Sequence, residues 1–204
     1  MKKYDEVVEF HGHSCPGLAL GYRVSLRALM EFKRRSQDEE LVAIVENNSC
    51  AVDAVQVMTG CTFGKGNLIF RDFGKQVYTF LMRPSGKSIR ISVDWDRPPE
   101  TKDEKALWDK YAGGDRSKKV VQFVHNRKAA KVRYILDMDE RELMKVTKGR
   151  EKLPPEAEIY RSIVCESCGE KAAEPKVRIK GGRLLCIPCM DGHLWKGKDN
   201  GRDH

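Results

Sequence analysis

Two histidines and one cysteine fall within five residues, from His11 to Cys15, directly before a predicted helix start at Pro16. Proline suits the first position of a helix, because the amide hydrogen that it lacks would have no partner there. Ser14 or Cys15 should therefore cap the helix, with its side chain near the positive end of the helix dipole. A thiol at such a position tends to ionise, and ionised thiols act as nucleophiles, redox centres or metal ligands.

In that chemistry Cys15 serves as a metal ligand or nucleophile, and His13 serves as a second ligand or as a base. His11 adds a further ligand or a counter-charge. The alternative is structural: Cys15 only caps the helix, and the histidines satisfy carbonyl groups of the loop. Three such residues so close together favour a functional role.

The elements around this group follow from the apolar pattern. Residues 16–35 form an amphipathic helix, because Leu18, Tyr22, Leu29 and Phe32 share one side at helical spacing. A short apolar run at 41–45 is typical of a buried strand. A second helix is expected from about Cys50 to Thr59, with a glycine after it as the stop signal.

Two further cysteines flank the second helix, Cys50 before it and Cys61 after it. The ends of such a helix are roughly 15 Å apart, so Cys50 and Cys61 cannot both bind one ion together with Cys15. If Cys50 is the partner, two helix N-termini converge on a site suited to an anion or a soft metal. If Cys61 is the partner, the loop 64–67 forms one wall of the site. Both alternatives remain open from the sequence.

We expect Asp53, Gln56 and Lys65 to line the same cleft. Lys65 lies in the sequence Gly-Lys-Gly-Asn at 64–67, whose backbone N–H groups and ammonium can hold a phosphate or carboxylate. This predicts a small anionic or cofactor-like ligand. A plain turn into a strand explains the loop equally well, and the loop lacks the pattern of a nucleotide-hydrolysing P-loop.

The remaining pattern predicts an α+β fold, an antiparallel sheet packed with helices. Segments 68–71, 75–83 and 87–93 are rich in β-branched and aromatic residues, and they predict a three-stranded meander beside strand 41–45. Further helices are expected at 102–111, 118–136 and from 139 to 144. We expect a core domain at 1–150, a linker at 151–160, and a finger domain with a tail at 161–204.

Two C-x-x-C pairs dominate the C-terminal part of the chain: Cys165 with Cys168, and Cys186 with Cys189. Seventeen residues separate the pairs, and four thiolates saturate a tetrahedral structural zinc. The segment has too little apolar surface to fold alone, so zinc should supply its stability. The spacing predicts a small finger of the zinc-ribbon or treble-clef kind, similar to fingers of bacterial transcription-associated proteins.

Charge and composition limit the partners and the compartment. The chain of 204 residues carries a net charge of +8, and residues 115–150 hold 11 basic against 5 acidic side chains. Residues 151–204 are nearly balanced, with 10 against 9, so nucleic acid is a less favoured partner of the finger. Seven cysteines without an evident disulfide framework, and an N-terminal stretch unlike a signal peptide, predict a cytoplasmic protein with no membrane span.

Three signatures occur in order: FHGHSCPGLALGYR at 10–23, DAVQVMTGCTFGKGNL at 53–68, and the four-cysteine finger. Together they resemble the FmdE-like family of formylmethanofuran dehydrogenase proteins, named for a component associated with a molybdenum or tungsten enzyme of methanogenesis. The resemblance implies an accessory metalloprotein, or a thiol- or metal-dependent enzyme such as a component of an oxidoreductase, in one-carbon or molybdenum/tungsten-cofactor-linked metabolism.

Such a protein would carry a structural Zn²⁺ in the finger and a second metal ion at the core His/Cys cleft. It would form a homodimer and associate with the other components of an enzyme complex. The alternative from a different class is a regulatory or scaffold protein, in which the finger and the basic helix bind nucleic acid or another protein.

Overall fold

The computed structural model describes residues 2–33, 36–38, 40–96 and 98–192. The chain forms two compact units, Met1–Ala157 and Glu158–His204. The division falls within the predicted linker. In the described part of the chain, helices with enough length and apolar character to traverse a bilayer are absent.

The described residues of the first unit form six helices, and the cap of the second follows the sequence prediction. Cys15 adopts an extended backbone at the N-cap, and its Sγ accepts a hydrogen bond from the backbone N–H of Leu18 at 3.4 Å. The third helix begins one residue later than expected, with Cys50 as its N-cap, and ends at Gly60 in the left-handed region with a φ of 76°. The helices are α1 Tyr4–His11, α2 Pro16–Phe32, α3 Ala51–Thr59, α4 Lys102–Ala112, α5 Lys118–Asp137 and α6 Glu140–Leu143.

One sheet of five strands lies against these helices, in the order β2-β1-β3-β4-β5. The helix-packed α+β fold is therefore confirmed, but the predicted meander is wrong at one strand. β2 pairs with β1 in parallel instead of joining β3, because the connection through α3 returns the chain to its original direction. The strands are β1 Leu41–Val45, β2 Leu68–Phe70, β3 Val77–Met82, β4 Lys87–Val93 and β5 Met144–Arg150.

The sequence pattern does not predict β5, which pairs with β4 along seven residues. Its Met144 is buried and Val146 packs against the core, while most of its other residues are exposed and polar or charged. A lysine- and arginine-rich edge strand lacks the apolar alternation that signals a strand, and such charges protect sheet edges from pairing with other chains.

The main core lies between α2 and one face of the sheet, where Val24, Ala28 and Phe32 join Phe80 and Ile89 in a buried cluster. The segment after β5 also packs on the first unit. Leu153 lies against the cluster of Val42, Ile44 and Leu81 on the sheet, and Arg83 donates to the carbonyl oxygens of Pro154 and Pro155 at 2.9 and 3.1 Å. The first part of the predicted linker is thus fixed to the core.

Near its end, α2 is tied to the sheet by Glu31, whose side chain is 8% exposed. Its carboxylate lies 2.8 Å from Lys148 Nζ, 2.9 Å from Lys87 Nζ and 3.3 Å from Arg27 Nη2. Hydrogen bonds from Lys148 and Lys87 lower the pKa of the Glu31 carboxyl from 4.5 to about 2. This ion cluster should therefore contribute to stability above the ordinary pKa of a glutamate.

We expect Glu31→Gln to lower the free energy of unfolding at neutral pH by about 1 to 2 kcal/mol, less than the full pKa shift implies because both lysines are solvent-exposed. A folded-state pKa below the unfolded value stabilises the fold at high pH, and this stabilisation is lost as the pH falls from 4.5 to about 2. Denaturant unfolding across that range should show the two proteins converging. A difference that stays constant with pH would contradict the ionic role of Glu31.

The described part of the second unit consists of two hairpins, a single 3₁₀ turn at Glu174–Lys176 and one short helix. Its elements are β6 Ser162–Val164, β7 Lys171–Ala173, β8 Val177–Lys180, β9 Arg183–Cys186 and α7 Ile187–Asp191. The first cysteine of each pair lies at the end of a hairpin strand: Cys165 follows β6, and Cys186 is the last residue of β9. These residues bury little apolar surface, with Cys165, Leu185 and Cys186 at the centre.

Candidate metal centre

Close packing of α2 on α3 is what brings the two N-terminal helix ends together. A Cβ added at Gly21 would lie 2.2 Å from the carbonyl oxygen of Ala51, closer than atoms can approach. A Cβ at Gly17 would lie 3.3 Å from the Cβ of Cys50. Only glycine at position 21 allows the start of α3 to rest on α2, and this contact places Cys50 beside Cys15.

The third member of the group is His11, the last residue of α1. Gly12 follows with a φ of 90°, a left-handed conformation that turns the chain sharply toward α2. The donor atoms of His11, Cys15 and Cys50 all lie within 4.8 Å of one another, and Nε2 of His11 is 4.0 Å from Sγ of Cys15. One nitrogen and two sulfurs therefore converge on a common point.

The other ring nitrogen of His11 is hydrogen-bonded to a carboxylate. Asp53, in the first turn of α3, lies with its Oδ2 2.6 Å from Nδ1 of His11. A carboxylate accepts hydrogen bonds, so it favours the tautomer that carries the proton on Nδ1 and leaves the lone pair of Nε2 directed at the sulfurs. Protein ligands of transition metals are typically held in this way by a second residue.

The two neighbouring thiols of Cys15 and Cys50 favour a bound cation. Burial raises the pKa of the Cys50 thiol, and the neighbouring Cys15 thiol raises it further. Two thiolates side by side repel one another unless a positive charge lies between them. The N-termini of α2 and α3 supply part of that charge, and a divalent metal ion would supply the remainder.

His13 lies at the edge of this group. Its ring centroid is 4.6 Å from that of His11, with 35° between the ring planes, and the residue is exposed to solvent. His13 is not one of the three residues whose donor atoms converge. Ser14, the alternative cap, instead shares a 3.0 Å hydrogen bond with the hydroxyl of Tyr4.

The other predicted cleft residues lie apart from the three converging donors. Cys61 is fully buried in the main core, and its thiol donates to the carbonyl oxygen of Leu41 at 3.2 Å, so Cys50 and not Cys61 adjoins Cys15. Lys65 donates through Nζ to the carbonyl oxygen of Gln37 at 3.2 Å. Gln56 lines a neighbouring cavity.

Residues without a chemical signature in the sequence also line that cavity. Glu9 and Phe10 of α1 and Val57 of α3 line it together with Gln56. For Val57 the sequence signal is helical spacing, because Val57 follows Asp53 by four residues and so shares a face of α3 with it.

In the second unit, the sulfurs of Cys165, Cys168, Cys186 and Cys189 lie within 4.8 Å of one another. The backbone N–H groups of Cys168 and Cys186 lower the pKa of the Cys165 thiol to about 6, and the N–H of Cys186 donates to the Cys165 Sγ at 3.3 Å. This is the ligand set of a closed structural zinc site, with four sulfurs and no position left for a substrate.

Comparison with known proteins gives a match for each unit. The profile of the family described as "FmdE, Molybdenum formylmethanofuran dehydrogenase operon" matches residues 10–145. The profile of the "Prokaryotic dksA/traR C4-type zinc finger" matches residues 158–193. The second match supports the assignment of the four cysteines as a zinc finger.

Two individual proteins show similarity along nearly the whole chain. A "Probable S-adenosyl-L-methionine-binding protein" of Archaeoglobus fulgidus is 35% identical over 196 residues, which is 91% of this chain and 51% of the relative. The chain thus spans about half the length of that relative. A crystal structure of a tungsten formylmethanofuran dehydrogenase FmdE-like protein from Syntrophus aciditrophicus has the same fold, with a TM-score of 0.56, 22% identity and coverage of 95% of both chains.

Proposed function

The chain belongs to the FmdE family and carries a C4 zinc finger, and we propose that its core unit is a metal-dependent accessory protein or enzyme. Its site would bind one transition metal ion, with zinc as the best fit, through His11, Cys15 and Cys50. The metabolic setting that the family description suggests is one-carbon chemistry linked to molybdenum or tungsten enzymes. A small molecule would be bound or transformed at the open side of the metal.

The observation that carries this proposal is the donor set. One imidazole nitrogen and two sulfurs within 4.8 Å are the ligands that zinc prefers. Three protein ligands leave a fourth tetrahedral position for water or substrate, which distinguishes this site from the closed finger. The 2.6 Å contact between Asp53 and His11 provides the outer support that such ligands usually have.

The residues of the chain have distinct roles in this account. Zinc at this site would polarise a bound carbonyl group or lower the pKa of a bound water. Asp53 holds a proton on Nδ1 of His11 and fixes the orientation of the ring. His13, exposed beside His11, can move a proton between a ligand and bulk water, as a general acid or base does. Cys61 and Lys65 take no part, because each is held by a backbone carbonyl elsewhere.

We expect Cys15→Ser to reduce the bound zinc from about two ions per chain to about one, leaving only the ion of the finger. Serine is a preferred N-cap, so the substitution should not disturb the start of α2. Elemental analysis of the purified chain by mass spectrometry measures the ratio directly. The matched control is Cys61→Ser, which changes another buried cysteine outside the donor set and should leave the ratio at about two. An unchanged ratio in Cys15→Ser would refute the core site.

We also propose that the protein assembles with itself or with other subunits. In support, no residue of α4 is fully buried. Its large aromatic residues Trp108 and Tyr111 are only partly covered, and Trp108 packs on Phe123 of α5. A homodimer would have about twice the 23.3 kDa mass of the chain. Light scattering after gel filtration distinguishes this from a monomer, and a mass of one chain at all concentrations would rule out the homodimer.

A second candidate function is regulatory docking through the finger, favoured by its match to the dksA/traR type. Val164, Ile179 and Leu184 are exposed apolar residues of this unit, and they fit a protein partner better than a phosphate backbone. Fluorescence anisotropy with labelled DNA and RNA at low salt should show no salt-dependent binding. Tight binding that weakens steeply with salt would instead support a nucleic-acid role.

A further inference from the structure

A groove runs between α1 and α3 in the first unit, with a cavity of about 450 Å³. From α1 it is lined by Glu6, Glu9 and Phe10, and from α3 by Gln56 and Val57. Lys2, before α1, and Thr62, after α3, complete the lining. A cavity of this size accommodates a small organic molecule. Its lining combines apolar, amide, hydroxyl and carboxylate groups with one ammonium, and polar groups of this kind can orient a bound ligand.

Each wall of the groove contains a residue that is close in sequence to the proposed metal centre. Phe10 immediately precedes His11 on α1. On α3, Gln56 lies three residues after Asp53, which corresponds to about one helical turn, or roughly 5 Å along the axis. A molecule in the groove would therefore extend toward the hydrogen-bonded pair of His11 and Asp53.

Three charged residues line this groove: Lys2, Glu6 and Glu9. Glu6 is already engaged, because it lies 3.2 Å from Lys2 Nζ and accepts the backbone N–H of Lys3 at 2.7 Å. The Glu9 side chain has no hydrogen bond or ion pair with any residue that the structure describes. Phe10 is 60% exposed. Because Lys2 and Glu6 offset one another, the lining of this groove carries a net negative charge together with an exposed aromatic ring, in a chain of net charge +8.

We propose that this groove binds an organic cation, an ammonium or sulfonium compound, as the small molecule held near the metal centre. A carboxylate together with an aromatic ring is the combination by which proteins recognise such cations. The ligand proposed for this groove is positively charged, whereas the loop around Lys65 predicts a negatively charged ligand from the sequence. The metal-centre part of the inference rests on the proposed function, whereas the cation selectivity of the groove does not.

The test uses two probes of the same shape, choline and its uncharged carbon analogue 3,3-dimethyl-1-butanol. Each is titrated into the zinc-loaded, ¹⁵N-labelled chain, and binding is followed by the backbone amide signals. We expect choline to shift the signals of Phe10, Gln56 and Val57 and to bind about fivefold more tightly than the alcohol. Equal affinity for the two probes, or shifts confined to other parts of the chain, would overturn the proposal.

Two matched variants of α1 locate the charge. Glu9→Gln should weaken choline binding about fivefold and leave the weak binding of the alcohol unchanged. Asp5→Asn removes a carboxylate from the same helix outside the groove and should leave both affinities unchanged. If Glu9→Gln binds choline as tightly as the unmodified chain, the groove does not select for positive charge and the inference fails.

The zinc content of the unmodified protein, measured alongside this titration, separates this inference from the proposed function. Zinc at about one ion per chain in the unmodified protein, with choline still selected through Glu9, would refute the metal centre and leave the cation groove standing. Zinc at about two ions per chain without choline selectivity would refute the cation groove and leave the metal centre standing.

Discussion

Gly21→Ala is expected to destabilise the first unit by about 3 kcal/mol, at the upper end of the usual cost of overpacking. The added methyl group would lie 2.2 Å from the carbonyl oxygen of Ala51 and 2.6 Å from its Cα. Both are backbone atoms, so neither can rotate away, and α3 must move off α2. Denaturant unfolding monitored by circular dichroism measures the loss.

The same variant should lose metal from the core site, because the displacement of α3 carries Cys50 away from Cys15. Gly64→Ala is the matched control, since a Cβ at Gly64 meets no atom within 4 Å. That substitution should change the free energy of unfolding by less than about 1 kcal/mol and leave the metal ratio unchanged. A Gly21→Ala protein as stable as the control would mean that the helices do not pack as described.

Removal of zinc from the finger is expected to unfold residues 158–192 while the first unit remains folded. These residues bury few apolar side chains, with Leu185 at their centre between two of the cysteines. Structural zinc in small fingers contributes about 10 to 16 kcal/mol of apparent binding free energy, far more than this cluster can replace. Cys165→Ser, which removes one of the four sulfurs, should have the same effect as a strong chelator.

Backbone amide spectra resolve the two units separately. We expect the signals of 158–192 to collapse to random-coil positions in Cys165→Ser, while the signals of the first unit keep their dispersion. Ser167→Ala, between two ligands but not itself a ligand, should retain the folded spectrum. A dispersed finger spectrum in Cys165→Ser would show that packing, and not metal, holds this unit together.

Much of the fold could be predicted because local rules dominate at the helix ends. Pro16 at the first helical position fixes where α2 begins, and Gly60 fixes where α3 ends. The pairing of the strands was harder. The position of β2 depends on the crossover through α3, and β5 is an edge strand whose charged residues give no periodic signal.

The sequence points to the region of the candidate site but not to all of its residues. The density of histidine and cysteine before Pro16 indicated a metal or thiol site. Whether Cys50 or Cys61 would join Cys15 depended on which end of α3 rests on α2. The decisive contact is that of Gly21 with Ala51, and no spacing rule within either helix reveals it. The hydrogen bond from His11 to Asp53 joins residues 42 positions apart and likewise follows only from the tertiary packing.

The metal centre is tested most directly by a crystal structure of the zinc-loaded chain with anomalous diffraction recorded on both sides of the zinc absorption edge. The account predicts two anomalous peaks per chain. One should lie among the four finger sulfurs, and the other about 2.0 to 2.3 Å from His11 Nε2, Cys15 Sγ and Cys50 Sγ. A single peak in the finger, with the core donors free of metal at full zinc loading, would contradict it.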